Sequence, residues 1–527
     1  MSDPQIDAAG FSFPSSPGII IGHNAAIGWG LSIGKGVDQW DTYHVAPNPE
    51  RPLEQYKWNG EWANFSTREE TFKIVEQSDV TISVRETVHG PVINDILEED
   101  PDGFHMEQSG NPIALQWTCL EPGGMGVALR RLIVARDWDD FRAALSYWDS
   151  PPCNFSYADV SGNIGYQLAA KIPLRAKDDS GLVPRDGTTE ATIWKGFLPF
   201  EYAPRSFNPE DGLIVNANQA AASEEYFDWL SEQLGADFNA WFQPTAYCGY
   251  RAERVRRLLE GAAPYSLEYF ASMQSDAKLP DLEEVTPYLA SLKIDDAPLS
   301  ELRDWLLEWD GVFSTDSSRA TFYSLFWTHL LRDVYKDEAP VPRPNDAGMY
   351  AVNQLLQDPA NAWWDDVETS DVVEERDAIL VRALSEAAAH AKSSLGSDRD
   401  AWRWGEVHTI KFINLSLGST SLEMMTSYVN RGPYPFPGGM ETVNLGEWTA
   451  DTASFGVVWA SCVRMILDVG NWDDSLASLA PGQSGHPASA NYADQVDDWR
   501  KVEHHKMAWR RDSVLKATKN RLYIEPK

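Results

Sequence analysis

Basic residues are scarce in this sequence. Lys and Arg number 44 against 79 Asp and Glu in 527 residues, a formal net charge of −35. A surface of that sign repels phosphate backbones, which argues against nucleic acid as a partner. Long apolar runs are missing too. No stretch approaches the roughly 18 consecutive apolar residues that a transmembrane helix needs. Residues 1–12 (MSDPQIDAAGFS) have neither a basic start nor an apolar stretch and do not read as a signal peptide. Cysteine is rare: Cys119, Cys153, Cys248 and Cys462 lie far apart without CxxC spacing. That pattern predicts buried thiols rather than a disulfide framework or a zinc site. HExxH does not occur, and His504-His505 has no partner at metal-ligand spacing. Gly28-Trp29-Gly30 lacks dinucleotide-loop spacing, and Gly482-Gln483-Ser484-Gly485 is not a nucleophile elbow.

What is present is ample core material. Hydrophobic residues make up 43% and aromatics 12%, including 22 Trp, which excludes disorder of the whole chain. The first third reads as strands, with alternation in 71–75 and 80–85 and turn signals at Gly90-Pro91 and Asp102-Gly103. Around Trp138 the period changes. Apolar positions 138, 141, 144 and 145 share a helical face behind an acidic first turn. The middle is helix-rich, with helices predicted over 254–259, 299–309, 320–335 and 377–392. Strands return after about 405, notably 454–460, and a short acidic helix is predicted over 494–499. Three stretches result: a β-rich part over 1–250, a helical excursion over 251–404, and returning strands over 405–527. The pattern suits one α+β core carrying an excursion.

A series of motifs runs through the chain in order. Gly22-His23-Asn24 and Gly28-Trp29-Gly30 come first, then Asp38-Gln39-Trp40-Asp41 and His89-Gly90-Pro91. Asn154-Phe155-Ser156-Tyr157-Ala158-Asp159 leads into Gly162-Asn163-Ile164-Gly165-Tyr166, followed by Trp194-Lys195-Gly196, Gly212–Asn218 and Pro481-Gly482-Gln483-Ser484-Gly485. This set resembles the penicillin acylase family, N-terminal-nucleophile hydrolases that cleave linear amides. The resemblance covers most of the family's β subunit. It implies an αββα sandwich, incomplete here, with the helical excursion in the middle. It also implies that the α subunit and the N-terminal nucleophile serine lie outside this sequence. Ser2 is too close to Asn24 to take the serine's place.

Several site residues follow from the resemblance. Asn218 matches the side-chain donor of the oxyanion hole. A backbone N–H at Ile33 (Ser32 or Gly34 if the local match slips) is the second donor. Arg254 matches an arginine near the nucleophile, with Arg251 as the alternative. Trp241, Phe242 and Tyr247 either line an acyl pocket or pack in a core. Some family members hold a structural calcium, which here would take Asp38, Asp41 and the Trp40 carbonyl, oxygen donors of the type calcium prefers; a solvated acidic loop is the competing reading. Catalysis itself needs no cofactor. The implied substrate is a small acyl-amide such as a β-lactam or an N-acyl homoserine lactone, and the implied compartment is periplasmic or extracellular. The segment after Asn218 lacks the family's polar follow-on. The resemblance implies a separate α subunit or nucleophile-bearing segment as partner; a catalytically inactive member that binds acyl-amide ligands or a partner chain is the other reading.

Overall fold

Two patterns divide the chain: alternating strands early, helical periodicity later. The computed structural model describes residues 6–74, 77–94, 112–177, 179, 181–235, 238–239, 249–261, 263–339, 346–370, 372–449, 454–523 and 525. They fall into two compact units, Met1–Pro244 and Thr245–Lys527.

In the first unit we label β1 (Ala8–Phe11), β2 (Ile21–Asn24), β3 (Ile27–Ile33), β4 (Trp40–His44), β5 (Ile113–Trp117), β6 (Cys153–Asp159), β7 (Ile164–Ala169), β8 (Arg185–Asp186) and β9 (Arg205–Phe207). A six-stranded antiparallel sheet has the order β1-β2-β3-β6-β7-β9. Its register sets Ile33 opposite Cys153 and Ser32 opposite Asn154. Cys153, Phe155 and Tyr157 alternate on one face of β6, as the two-residue strand period requires. They are covered by helices α1 (Met125–Leu132) and α2 (Trp138–Leu145) in a core that includes Trp29, Leu129 and Phe141. Helix α2 starts where its side chains dictate. The Asp137 carboxylate accepts from Asp140 N at 2.9 Å, and Asp139 and Asp140 face the positive end of the helix dipole. The β6–β7 turn is set by Asp159, whose Oδ1 accepts from Ser161 N at 2.8 Å and Asn163 N at 3.0 Å. A second sheet, β5-β4-β8, carries the acidic strand.

The second unit is built on the helices Tyr250–Leu259 (α3), Leu282–Ser291 (α4), Ala297–Leu307 (α5), Ser318–Tyr335 (α6) and Arg376–Leu395 (α7). Helix α6 is buried almost all round. Two of its buried hydroxyls are satisfied within the helix: Ser324 Oγ donates to Ala320 O at 2.9 Å and Thr328 Oγ to Ser324 O at 2.8 Å.

Three local expectations need correction. Of residues 454–460 only Trp459–Ala460 is strand, paired with Gly446–Glu447. Backbone groups upstream are spent elsewhere: Phe455 O accepts from His408 Nδ1 at 2.7 Å, and Val457 N donates to Thr409 O at 2.9 Å. Gly90–Pro91 is not the turn but the short strand after it. Among the cysteines Cys153 is buried, whereas Cys119 and Cys462 are exposed; all three are free thiols. Cys248 and Asp102-Gly103 lie outside the described residues. No described helix is long and apolar enough to cross a membrane.

Candidate functional site

The end of β3 gathers an unusual number of side-chain amides around one peptide. The Ile33 carbonyl accepts from Asn218 Nδ2 at 2.8 Å, from Asn154 Nδ2 at 3.1 Å and from Lys35 N at 3.0 Å. Gly34 N–H is bonded to Pro152 O at 2.8 Å. Extended backbone alternates its edges, so the N–H of Ile33 is turned away from that neighbour. Of Ser32, Ile33 and Gly34, Ile33 is therefore the residue whose amide faces the other edge.

Both amides that reach Ile33 are themselves oriented. Tyr166 OH donates to Asn154 Oδ1 at 2.7 Å. Burial pushes the Tyr166 phenol well above its ordinary pKa, so it stays a donor at neutral pH. Asn218 sits at φ 67°, the left-handed region that asparagine tolerates better than most residues. The loop holding it is laced by its own polar groups. Asn216 Oδ1 accepts from Ser32 Oγ, Gln219 Oε1 accepts from Ala217 N at 2.7 Å, and Gln219 Nε2 donates to Val215 O at 2.8 Å. Asn154, Tyr166, Asn216 and Gln219 had no assigned role in the sequence. Asn154 and Tyr166 stood inside a motif, but only the strand register brings them to Ile33.

Asp38, Trp40 and Asp41 also converge, on a guanidinium. Arg175 Nη2 donates to Asp38 Oδ2 at 2.9 Å, to Asp41 Oδ1 at 3.2 Å and to the Trp40 carbonyl at 3.4 Å, while Nε reaches Asp41 Oδ2 at 3.1 Å. Desolvation raises the pKa of both carboxyls, and the Arg175 charge opposes it. Asp41 is thus buried and paired, while Asp38 is half-buried and Trp40 exposed. Among the described residues no group of three or more His, Cys, Asp or Glu side chains is arranged to hold a metal.

Arg254 and Arg251 lie in the second unit, on α3. Arg254 makes a two-pronged pair with Asp276, Nε to Oδ1 at 3.1 Å and Nη2 to Oδ2 at 2.6 Å. That hydrogen bonding holds its pKa above the usual arginine value. Arg251 Nε bonds Glu441 Oε2 at 2.7 Å, and Glu441 is buried at φ 53°. Each guanidinium is held in place by a carboxylate. Trp241, Phe242, Tyr247 and Ser2 lie outside the described residues.

The described residues combine helices and antiparallel sheets in an α+β architecture. The whole chain superimposes on thermostable penicillin G acylase from Alcaligenes faecalis with a TM-score of 0.71 and 20% identity, covering 100% of this chain and 93% of that one. This likeness shows the fold, that of the N-terminal-nucleophile hydrolases. Residues 1–516 match the penicillin amidase family, and the chain belongs to it. It is 28% identical to the acyl-homoserine lactone acylase QuiP of Pseudomonas aeruginosa over 547 residues, 94% of this chain and 61% of that protein. It is also 28% identical to the penicillin acylase 2 proenzyme of Pseudomonas sp. (strain SE83) over 513 residues, 94% of this chain and 60% of that protein. The chain therefore spans about three fifths of the length of these relatives.

Proposed function

We propose that this chain is the oxyanion-binding portion of an acylase that hydrolyses a linear amide between an acyl group and an amine, of the N-acyl homoserine lactone or β-lactam type. The arrangement of Asn218 Nδ2 beside the Ile33 peptide carries the reading. In this scheme Asn218 Nδ2 and the Ile33 N–H donate to the oxyanion that forms when a serine hydroxyl adds to the amide carbonyl. A serine at a chain start supplies hydroxyl and base together, since an α-amine titrates near 7.7–8.0 and accepts a proton at neutral pH. That serine belongs to a segment outside residues 1–527. Family membership and the names of the relatives support the substrate class.

The test is release of free amine from an N-acyl homoserine lactone and from a phenylacetyl amide. The chain alone is expected to give none, and the chain co-expressed with a serine-led segment is expected to turn over. Asn218→Ala should then lower kcat about 10²–10³-fold, the usual cost of one oxyanion donor. Unchanged turnover in that variant sinks the assignment. A second reading is favoured by the engagement of the Asn218 amide with the Ile33 carbonyl: a non-catalytic member that binds acyl-amide ligands. Saturable binding without turnover, even with the serine-led segment present, would select it.

A further inference from the structure

The acidic pair at the start of β4 has its own cation. We infer that Arg175 is the resident counter-charge of the Asp38–Asp41 pair, standing where related proteins could hold a divalent ion, and that the first unit folds without metal at this site. Arg175 has no exposed surface, and Asp41 is 1% exposed. A buried carboxylate at Asp41 and a half-buried one at Asp38, two residues between them, repel each other and need positive charge between them. Arg175 supplies it from a distant part of the chain, 134 residues from Asp41.

The oxygens are also saturated. Asp41 Oδ2 accepts from Arg175 Nε and from the Trp194 indole Nε1, and forms an ion pair with Arg185 Nη1 at 2.9 Å. Arg185 Nη2 continues to Asp179 Oδ1 at 2.9 Å. Calcium takes six to eight oxygens at roughly 2.3–2.6 Å, so an ion here would have to strip donors from two guanidiniums and sit beside both. Space points the same way. A Cβ on Gly181, at φ +71°, would lie 2.9 Å from Arg175 Nε and 3.0 Å from Asp41 Oδ1. The backbone is pressed against the ion pair. The remaining Arg175 Nη1 is buried without a hydrogen-bond partner among the described residues. It would attract an acceptor such as water and repel a cation.

Thermal unfolding of the full chain in EDTA and in millimolar calcium tests this, together with calorimetric titration with calcium chloride. The expected result is one unfolding temperature in both buffers and no saturable calcium signal. A calcium-dependent rise, or saturable binding, that Asp41→Asn abolishes would overturn the inference. Two variants compared in EDTA separate charge from packing. Arg175→Met removes the charge and should lower the unfolding temperature by roughly 10 °C. Arg175→Lys keeps a cation and should lose clearly less. Equal losses in the two variants would make Arg175 a packing residue and also overturn the inference. If Arg175→Met does not fold, the wild-type comparison decides alone.

Discussion

Asp281 is a carboxylate in an expensive place. It has no exposed surface, Oδ1 has no hydrogen-bond partner among the described residues, and Oδ2 lies 3.4 Å from Asn353 Nδ2. Burial pushes its pKa to about 7, with Asn353 pulling down and Glu284 pushing up. An acid with a higher pKa folded than unfolded binds more protons when folded. Its destabilising effect is absent below the unfolded value near 3.9, grows as pH rises, and is complete above about 7. Asp281→Asn should therefore be more stable than wild type at pH values above about 7, by on the order of 4 kcal/mol, and nearly equal to it near pH 4. Urea unfolding of both proteins across that range checks it; a constant difference between the two curves rules it out. Beside the Ile33 peptide, Tyr166→Phe leaves Asn154 Oδ1 without its phenolic donor and should cost about 1–2 kcal/mol. A smaller additional loss when Asn154→Ala is combined with it, seen in a double-mutant cycle, would show that the two act as one unit.

Elements were legible where one local signal decided them. The Asp137 cap and the 138, 141, 144, 145 stripe specify α2, and the structure has it over Trp138–Leu145. The predicted 299–309 and 377–392 helices are present as Ala297–Leu307 and Arg376–Leu395, with ends set by the Asp296 cap and by Gly396. The run 454–460 misled because its β-branched and aromatic residues resemble a strand, while Val458 and Trp459 are exposed and the upstream backbone bonds go to 408–409. Site chemistry followed the same division. Asn218 and Ile33 could be marked by motif, but Arg175 could not be matched to Asp41 from spacing, because only the fold joins positions so far apart. Gly165 shows an element contact hidden in a motif. A Cβ there would lie 2.4 Å from Trp138 Cζ3, so β7 and α2 approach too closely for any side chain. Gly165→Ala should cost about 1–3 kcal/mol by overpacking. Adding Trp138→Leu should relieve part of that loss in denaturant melts, whereas additive losses would place the constraint elsewhere.

At the scale of the whole molecule the governing quantity is a net charge of −35 on 527 residues. Like charges spread over a compact surface repel, and unfolding relaxes that repulsion. Salt screens it: the Debye length falls from about 10 Å at 0.1 M to about 3 Å at 1 M. Exposed ion pairs work in the opposite direction, since salt weakens them too. Pairs such as Arg68–Glu70 and Arg257–Glu253 are half-exposed and should contribute little each. The buried Arg175–Asp41 and Arg185–Asp41 pairs are hardly screened. Repulsion should win, so sodium chloride should raise the unfolding temperature between low and high salt. Acid too lowers the charge toward the sequence pI of about 4.6, but below about pH 4 a loss of stability opposes that benefit. Asp159 explains why. Desolvation pushes its pKa up, but hydrogen bonds from Asn163, Tyr157 and Ser161 outweigh that and hold it below the usual carboxylate value. Its contribution is present above the unfolded pKa and is lost as pH falls through the folded one. The unfolding temperature should accordingly rise with salt at neutral pH and fall with acid once the pH drops below about 4, where the Asp159 contribution is lost. A fall with salt at neutral pH would mean that surface pairs, and not net repulsion, dominate the electrostatics of this chain.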